Sequence, residues 1–373
     1  MKTTKAITAL LLIVARGAAS VATSAASPSG ATAEAAAAQT KKAGKKRGVK
    51  TPKGVYWGAW IGPQLTGTEA PWDMGAVSAF ERLVGRSPSL IEFSSPWRSC
   101  GENGCEPNRF PTAAMQSIRD YGAIPVFSWG SQPNSASLDQ PEFKLAQIAA
   151  GAHDAYIREF ATEVKEWGHP FFLRFNWEMN GSWFLWSEGI NGNRAGDFVA
   201  AWRHVHDIFS SVGANNATWV WCPYAAAAGA KAKLGRYYPG GSYVDWTCLD
   251  AYNWGRQSLH PTPWRSFDQL FASSYRQITK KIAPNKPMML GELASNGGGK
   301  PKADWIRRMF KSLPQRYPKV HGLVWFNCPD RGMSWTLESS PAGLKAFAKG
   351  IAHPRYRDSG FASLSTSPIP APR

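Results

Sequence analysis

The 373-residue sequence predicts a (β/α)8 barrel, and three observations carry that prediction. Short apolar, β-branched or aromatic runs alternate with amphipathic helical stretches eight times between residues 54 and 352. Polar and acidic residues recur where those runs end, which is where barrel chemistry sits. The first run is followed by GPQLTGTEAPW, which lacks the glycine-rich phosphate loop expected of the rival doubly wound sheet.

In chain order, VYWGAWIG (55–62) reads as the first strand, followed by a helix over Met74–Val84. LIEFSSPW (90–97) is the second, with a helix over Thr112–Tyr121. AIPVFSWG (123–130) is the third, with a long helical stretch ending at Trp167. FFLRFNWEMN (171–180) is the fourth, with a helix over Gly196–Val212. ATWVWCPY (217–224) is the fifth, with a short, ill-defined connection. VDWTCLDAYNWG (244–255) is the sixth, with a helix over Phe267–Ile282. KPMMLGELAS (286–295) is the seventh, with a helix over Ala303–Tyr317, and VHGLVWFNCP (320–329) is the eighth, with a last helix over Ala342–Ile351.

The flanks differ in composition. Residues 1–26 have a basic start, a short apolar stretch from Ala6 to Ala15 and small residues after it, so they read as a secretory signal. Residues 27–53 read as a basic Ala/Lys-rich linker, and 353–373 as a flexible Ser/Pro-rich tail. Ten Lys or Arg against Glu34 lie before residue 54, which leaves +8 of the formal +17 for the rest. The KKAGKKRGVKTPK run is expected to be solvated, with an anionic cell envelope as its partner where it has one. No nucleic-acid partner is expected, and the protein is expected to be a secreted monomer.

Five cysteines fit an oxidising compartment. Cys100 and Cys105 are close enough to staple one loop, Cys222, Cys248 and Cys328 read as small buried thiols, and the odd count leaves at least one thiol free. The seven histidines show no metal-ligand spacing, so neither a metal nor a cofactor is expected.

Two acids dominate the functional reading. Glu178 ends the fourth predicted strand among Trp177, Trp183 and Trp186, and Glu292 ends the seventh. A carboxylate among aromatics is costly unless paired, and a salt bridge from Arg174 to Glu178 is the structural alternative. Strands four and seven face each other across a barrel. Two glutamates there suit glycosidic cleavage, one protonating the leaving oxygen and the other attacking the anomeric carbon. Tyr252 could donate a hydrogen bond to the nucleophile. Trp57, Trp129, Trp254 and Trp325 could offer flat faces to sugar rings. Asn180 reads as a polar wall residue.

RFNWEMNGSWFLW resembles the acid/base segment of glycoside hydrolase family 26. KPMMLGELAS resembles the nucleophile segment of that family, VDWTCLDAYNWG its strand six and LVWFN its strand eight, in the expected order over residues 54–352. The resemblance implies a retaining β-glycanase with Glu178 as acid/base, Glu292 as nucleophile, Tyr252 orienting the nucleophile and Trp325 lining the point of scission. It implies substrate contacts around Arg174, Asn176, Trp177, Asn180, Trp183 and Trp186. Trp177 stands where the family has His, and Phe175 where it has Pro. Family substrates are β-1,4-mannan, mixed-linkage β-glucan and β-1,3-xylan, with mannan expected first. A barrel that binds carbohydrate without cleaving it is the alternative.

Overall fold

The computed structural model describes residues 54–102, 104–135, 137–225, 233–255 and 263–373. The predicted signal and linker lie outside the described residues. Eight parallel strands form a closed barrel: β1 (Val55–Ile61), β2 (Leu90–Gly101), β4 (Ile124–Pro133), β5 (Phe171–Phe175), β6 (Ala217–Trp221), β7 (Trp246–Asn253), β8 (Met288–Ser295) and β9 (Val320–Asn327). Pairing of β1 with both β9 and β2 closes it. Two short strands are added. β3 (Gly104–Pro107) folds back on the end of β2 as a hairpin bridged by the Cys100–Cys105 disulfide, and β10 (Tyr356–Arg357) extends the start of β1.

The helices are α1 (Met74–Val84), α2 (Thr112–Tyr121), α3 (Leu145–Ala149), α4 (Asp154–Trp167), α5 (Asp197–Val212), α6 (Phe267–Gln277, extended by a π turn to Ile282), α7 (Gly299–Arg316) and α8 (Pro341–Ile351). Their limits follow local chemistry. Asp73 caps α1 by accepting from Gly75 N–H, and Ser266 with Gln269 forms a capping box on α6. Gly85, Gly122 and Gly168 end α1, α2 and α4 in the left-handed conformation.

Both faces of each strand are buried, so inward and outward positions are equally apolar in sequence. This corrects three aromatic assignments. Trp57, Trp129 and Trp325 are fully buried and point outward into the helix layer, so no sugar reaches them. Trp57 and Trp325 pack against Phe347 of α8, and Trp129 stacks on Phe160 of α4 at 4.2 Å between ring centroids.

The C-terminal segment is also corrected, because residues 353–373 close the N-terminal end of the barrel. Trp246 Nε1 donates to Ile369 O (2.8 Å), Tyr56 Oη to Pro370 O (3.2 Å), and Ile369 N–H to Thr218 Oγ1 (2.9 Å). Ile369 is buried there, and Phe361 packs on the Tyr56 ring. The inward layer of Tyr56, Phe172 and Trp246 would otherwise face water. Proline-rich backbone suits the task, since it offers carbonyls with few N–H groups to satisfy.

Candidate active site

The site is built over Arg174, which points into the barrel from β5 and is fully buried. Its guanidinium pairs with Glu92 of β2, Asp250 of β7 and, at 3.1 Å, Glu292 of β8. Ser128 of β4 accepts from Arg174 (3.0 Å) and donates to Glu92 (2.9 Å). No ion pair joins Arg174 to Glu178 among the described residues, so the structural alternative for Glu178 is not realised.

A bulge brings Glu292 to this cluster. Leu249 pairs with Leu290, but Asp250 pairs with Glu292, so Gly291 is the extra residue. A Cβ on Gly291 would lie 2.5 Å from Cys248 Sγ, 2.8 Å from Asp250 Oδ1 and 3.2 Å from Arg174 Cζ. Glycine is therefore the side chain that admits Arg174. Cys248 is not a free thiol as expected, because it is disulfide-bonded to Cys222 inside the barrel; Cys328 is the free cysteine. Glu292 N–H donates to Asp250 Oδ1 (2.7 Å). Its two carboxylate oxygens accept from Arg174 Nη1 (3.1 Å) and from Tyr252 Oη. Burial and the charges of Glu292 and Glu178 push the Tyr252 phenol well above its ordinary value, so it keeps the proton it donates.

Glu178 reaches the site from a turn, not from the strand expected over residues 171–180. β5 ends at Phe175, and Asn176 and Glu178 both have left-handed backbones (φ 45° and 54°). The turn is clamped instead. Glu178 N–H donates to Cys222 O at the end of β6 (2.7 Å). The Asn176 amide bonds Ser131 N–H and Oγ, both at 2.8 Å, and the Asn180 amide bonds Tyr224 N–H and O, both at 2.8 Å. Trp186 donates to Trp177 O (2.6 Å). Asn tolerates the left-handed region, but Glu there is strained by about 1 kcal/mol or more, which these bonds must hold.

Glu178 and Glu292 are 6% and 7% exposed. Burial, then the negative charges of Asp250 and Glu292, push Glu178 well above the usual carboxylate range; a hydrogen bond from Trp183 Nε1 (2.6 Å) and the Arg174 charge oppose this only partly. Glu178 is thus held protonated. Tyr224, half-buried with its ring 5.1 Å from Trp183, is pushed up to about 12 by burial and by Glu178.

Around the acids the accessible rings are Trp183, Tyr224, Tyr252 and Trp254. Trp177 is largely covered by Phe184, Trp186 and the Arg174 guanidinium, 5.7 Å from its ring. Arg174, Asn176 and Trp186 are fully buried, so they support the site from beneath and do not touch a ligand. The ring placed near Tyr252 from beyond β9 is Trp335, at 5.1 Å, not Trp325. Sequence reading missed Glu92, Asp250, Tyr224 and Trp335. Glu92 and Asp250 were visible as lone acids inside apolar strands (LIEF, CLDAY). Trp335 lies in an irregular loop and gave no strand-end signal.

A parallel barrel with two glutamates at the C-terminal mouth of its strands, one kept protonated and one hydrogen-bonded by arginine and tyrosine, defines a class of barrel suited to glycosidic chemistry. The model of glycosyl hydrolase family 26 matches residues 117–327. The chain is 33% identical over 300 residues to a mannan endo-1,4-beta-mannosidase from Bacillus subtilis, covering 74% of each. It is 31% identical over 300 residues to endoglucanase H of Acetivibrio thermocellus, covering 80% of this chain and 30% of that one. The chain spans 30%, 29% and 24% of the length of the first three curated relatives. Among solved structures, the Bacillus subtilis mannanase man26 aligns at a TM-score of 0.56 with 19% identity over 83% of this chain and 88% of that one, a likeness of fold. The chain belongs to glycosyl hydrolase family 26.

Proposed function

We propose that the protein is a secreted, endo-acting β-glycanase that hydrolyses its polysaccharide with retention, β-1,4-mannan first, then mixed-linkage β-glucan or β-1,3-xylan. The single observation that carries the chemistry is the division of labour between the glutamates: Glu178 is held protonated and Glu292 is held in place by Arg174 and Tyr252. In the first step a Glu292 oxygen attacks the anomeric carbon. The bond to the leaving sugar breaks, and Glu178 gives its proton to the departing oxygen. In the second step Glu178, now a carboxylate, takes a proton from water as that water attacks the anomeric carbon, and Glu292 is released. Tyr252 keeps Glu292 in one rotamer throughout.

The mannan preference draws on relatives named as mannan endo-1,4-beta-mannosidases; others are named as a beta-1,3-xylanase and an endoglucanase, which support the alternatives. Secretion draws on the N-terminal sequence and is consistent with two disulfides. The test is release of reducing ends from mannan, mixed-linkage glucan, β-1,3-xylan and cellulose. Mannan is expected to give the largest signal, and Glu292→Ala to abolish it. An inert panel with retained glycan binding would instead make the barrel a binding protein.

A further inference from the structure

Lys302 is fully buried in the first turn of α7, a costly place for an ammonium on two counts: it loses its water, and it meets the positive end of a helix dipole. Its Nζ lies 2.5 Å from Ser334 O, 3.2 Å from Trp335 O, 2.7 Å from Thr336 O and 3.2 Å from Ser339 Oγ. Three consecutive carbonyls and a hydroxyl of one loop thus converge on one ammonium, and three N–H groups are shared among four acceptors. Gly343 of α8 leaves room for the lysine stem, since a Cβ there would sit 3.3 Å from Lys302 Cγ.

The middle of those three carbonyls belongs to Trp335. Its ring lies 5.1 Å from Tyr252 and 4.9 Å from Trp254. Tyr252 in turn donates to Glu292. We propose that Lys302 is a positioning residue for the active site, tying down loop 334–339 so that Trp335 holds Tyr252 in register with Glu292. This rests on the reading of Glu292 and Glu178 as the catalytic pair.

The clamp is sensitive to pH. Burial pushes the Lys302 ammonium down to about 7, opposed by Glu338 in the same loop. The other elements packed on it present Trp325 of β9, with its ring centroid 6.0 Å from Nζ, and Gly343 at the start of α8, neither of which titrates in this range. Because the buried amine holds its proton less tightly than a solvated one, deprotonation as pH rises through about 7 favours the clamped loop over an opening that wets Lys302, and protonation below that range favours the opening.

The experiment compares the full chain with Lys302→Met by two readouts. The first is kcat/KM on a dinitrophenyl β-glycoside, whose leaving group needs no proton from Glu178, so that the ionisation of Glu178 does not enter. The wild type is expected to gain activity several-fold as pH rises through about 7. Lys302→Met is expected to be lower above that range, on the order of 10-fold, and to be flat across it. The second is amide hydrogen exchange, which needs no turnover. Ser334 and Leu337 amides are expected to exchange at least about 10-fold faster in the variant, with β8 amides unchanged. Wild-type kinetics and exchange in the variant, or a loss of protection spread evenly over the barrel, would overturn the proposal. If Lys302→Met does not fold, Ser339→Ala replaces it: faster exchange confined to residues 334–340 supports the clamp, and unchanged exchange overturns it. If the wild type cleaves no glycoside, exchange alone decides on the clamp, and the catalytic reading fails separately.

Discussion

Burial, Asp250 and Glu292 all oppose ionisation of Glu178. The same fact has a consequence for stability. A carboxyl raised above its unfolded value binds a proton more tightly when folded, so its contribution is fully present below the unfolded pKa and is lost as pH rises through the folded one. Glu178→Gln cannot ionise. Its melting temperature is therefore expected to match the wild type at about pH 4, and to exceed it increasingly as pH rises above the ordinary carboxylate range, while activity on natural glycan falls by orders of magnitude. Equal melting temperatures across the pH range would mean that Glu178 ionises freely. At this scale Glu178, Glu292 and Tyr252 were legible because polar groups at apolar strand ends are conspicuous. Trp57, Trp129 and Trp325 were not, because a barrel strand is buried on both faces and its sequence does not mark which one looks inward.

Among the elements, β8 carries most of the geometry. Its bulge at Gly291 re-aims Glu292 and opens the space that Arg174 fills. Gly291→Ala is expected to destabilise the fold by about 1–3 kcal/mol through overpacking against Arg174 and the Cys222–Cys248 disulfide. It should also lower kcat by far more than it changes KM, as seen by denaturant melts beside steady-state kinetics. The GE pair was visible in MMLGELAS, but the bulge was not, since it depends on Arg174 arriving from β5. The turn after β5 escaped for a similar reason: its two left-handed residues are held by amides of Asn176 and Asn180 reaching β4 and the segment after β6, contacts with no local signature.

For the molecule as a whole, the eightfold alternation was legible, and the helices at 74–84 and 112–121 fall where their periodicity placed them. The C-terminal segment was misread because its composition resembles a loose tail, whereas its carbonyls and Ile369 meet an aromatic barrel floor that only the closed barrel creates. Deleting residues 366–373 removes Ile369 and the bonds to Trp246, Tyr56 and Thr218. The deletion is expected to cost about 2–4 kcal/mol in urea unfolding, from a buried aliphatic side chain and lost hydrogen bonds. KM should be unchanged, because the segment closes the end of the barrel opposite the acids.

The whole scheme depends on acids from separate strands meeting at one sugar carbon across the barrel mouth. A fluorinated glycosyl fluoride built on the disaccharide of the preferred glycan traps whichever side chain attacks that carbon, and peptide mass spectrometry then locates the label. Stoichiometric labelling of Glu292, within the peptide spanning residues 288–295, with matching loss of activity, is the expected result. Continued polysaccharide cleavage with Glu292 unlabelled, or a label on any other side chain, would contradict it.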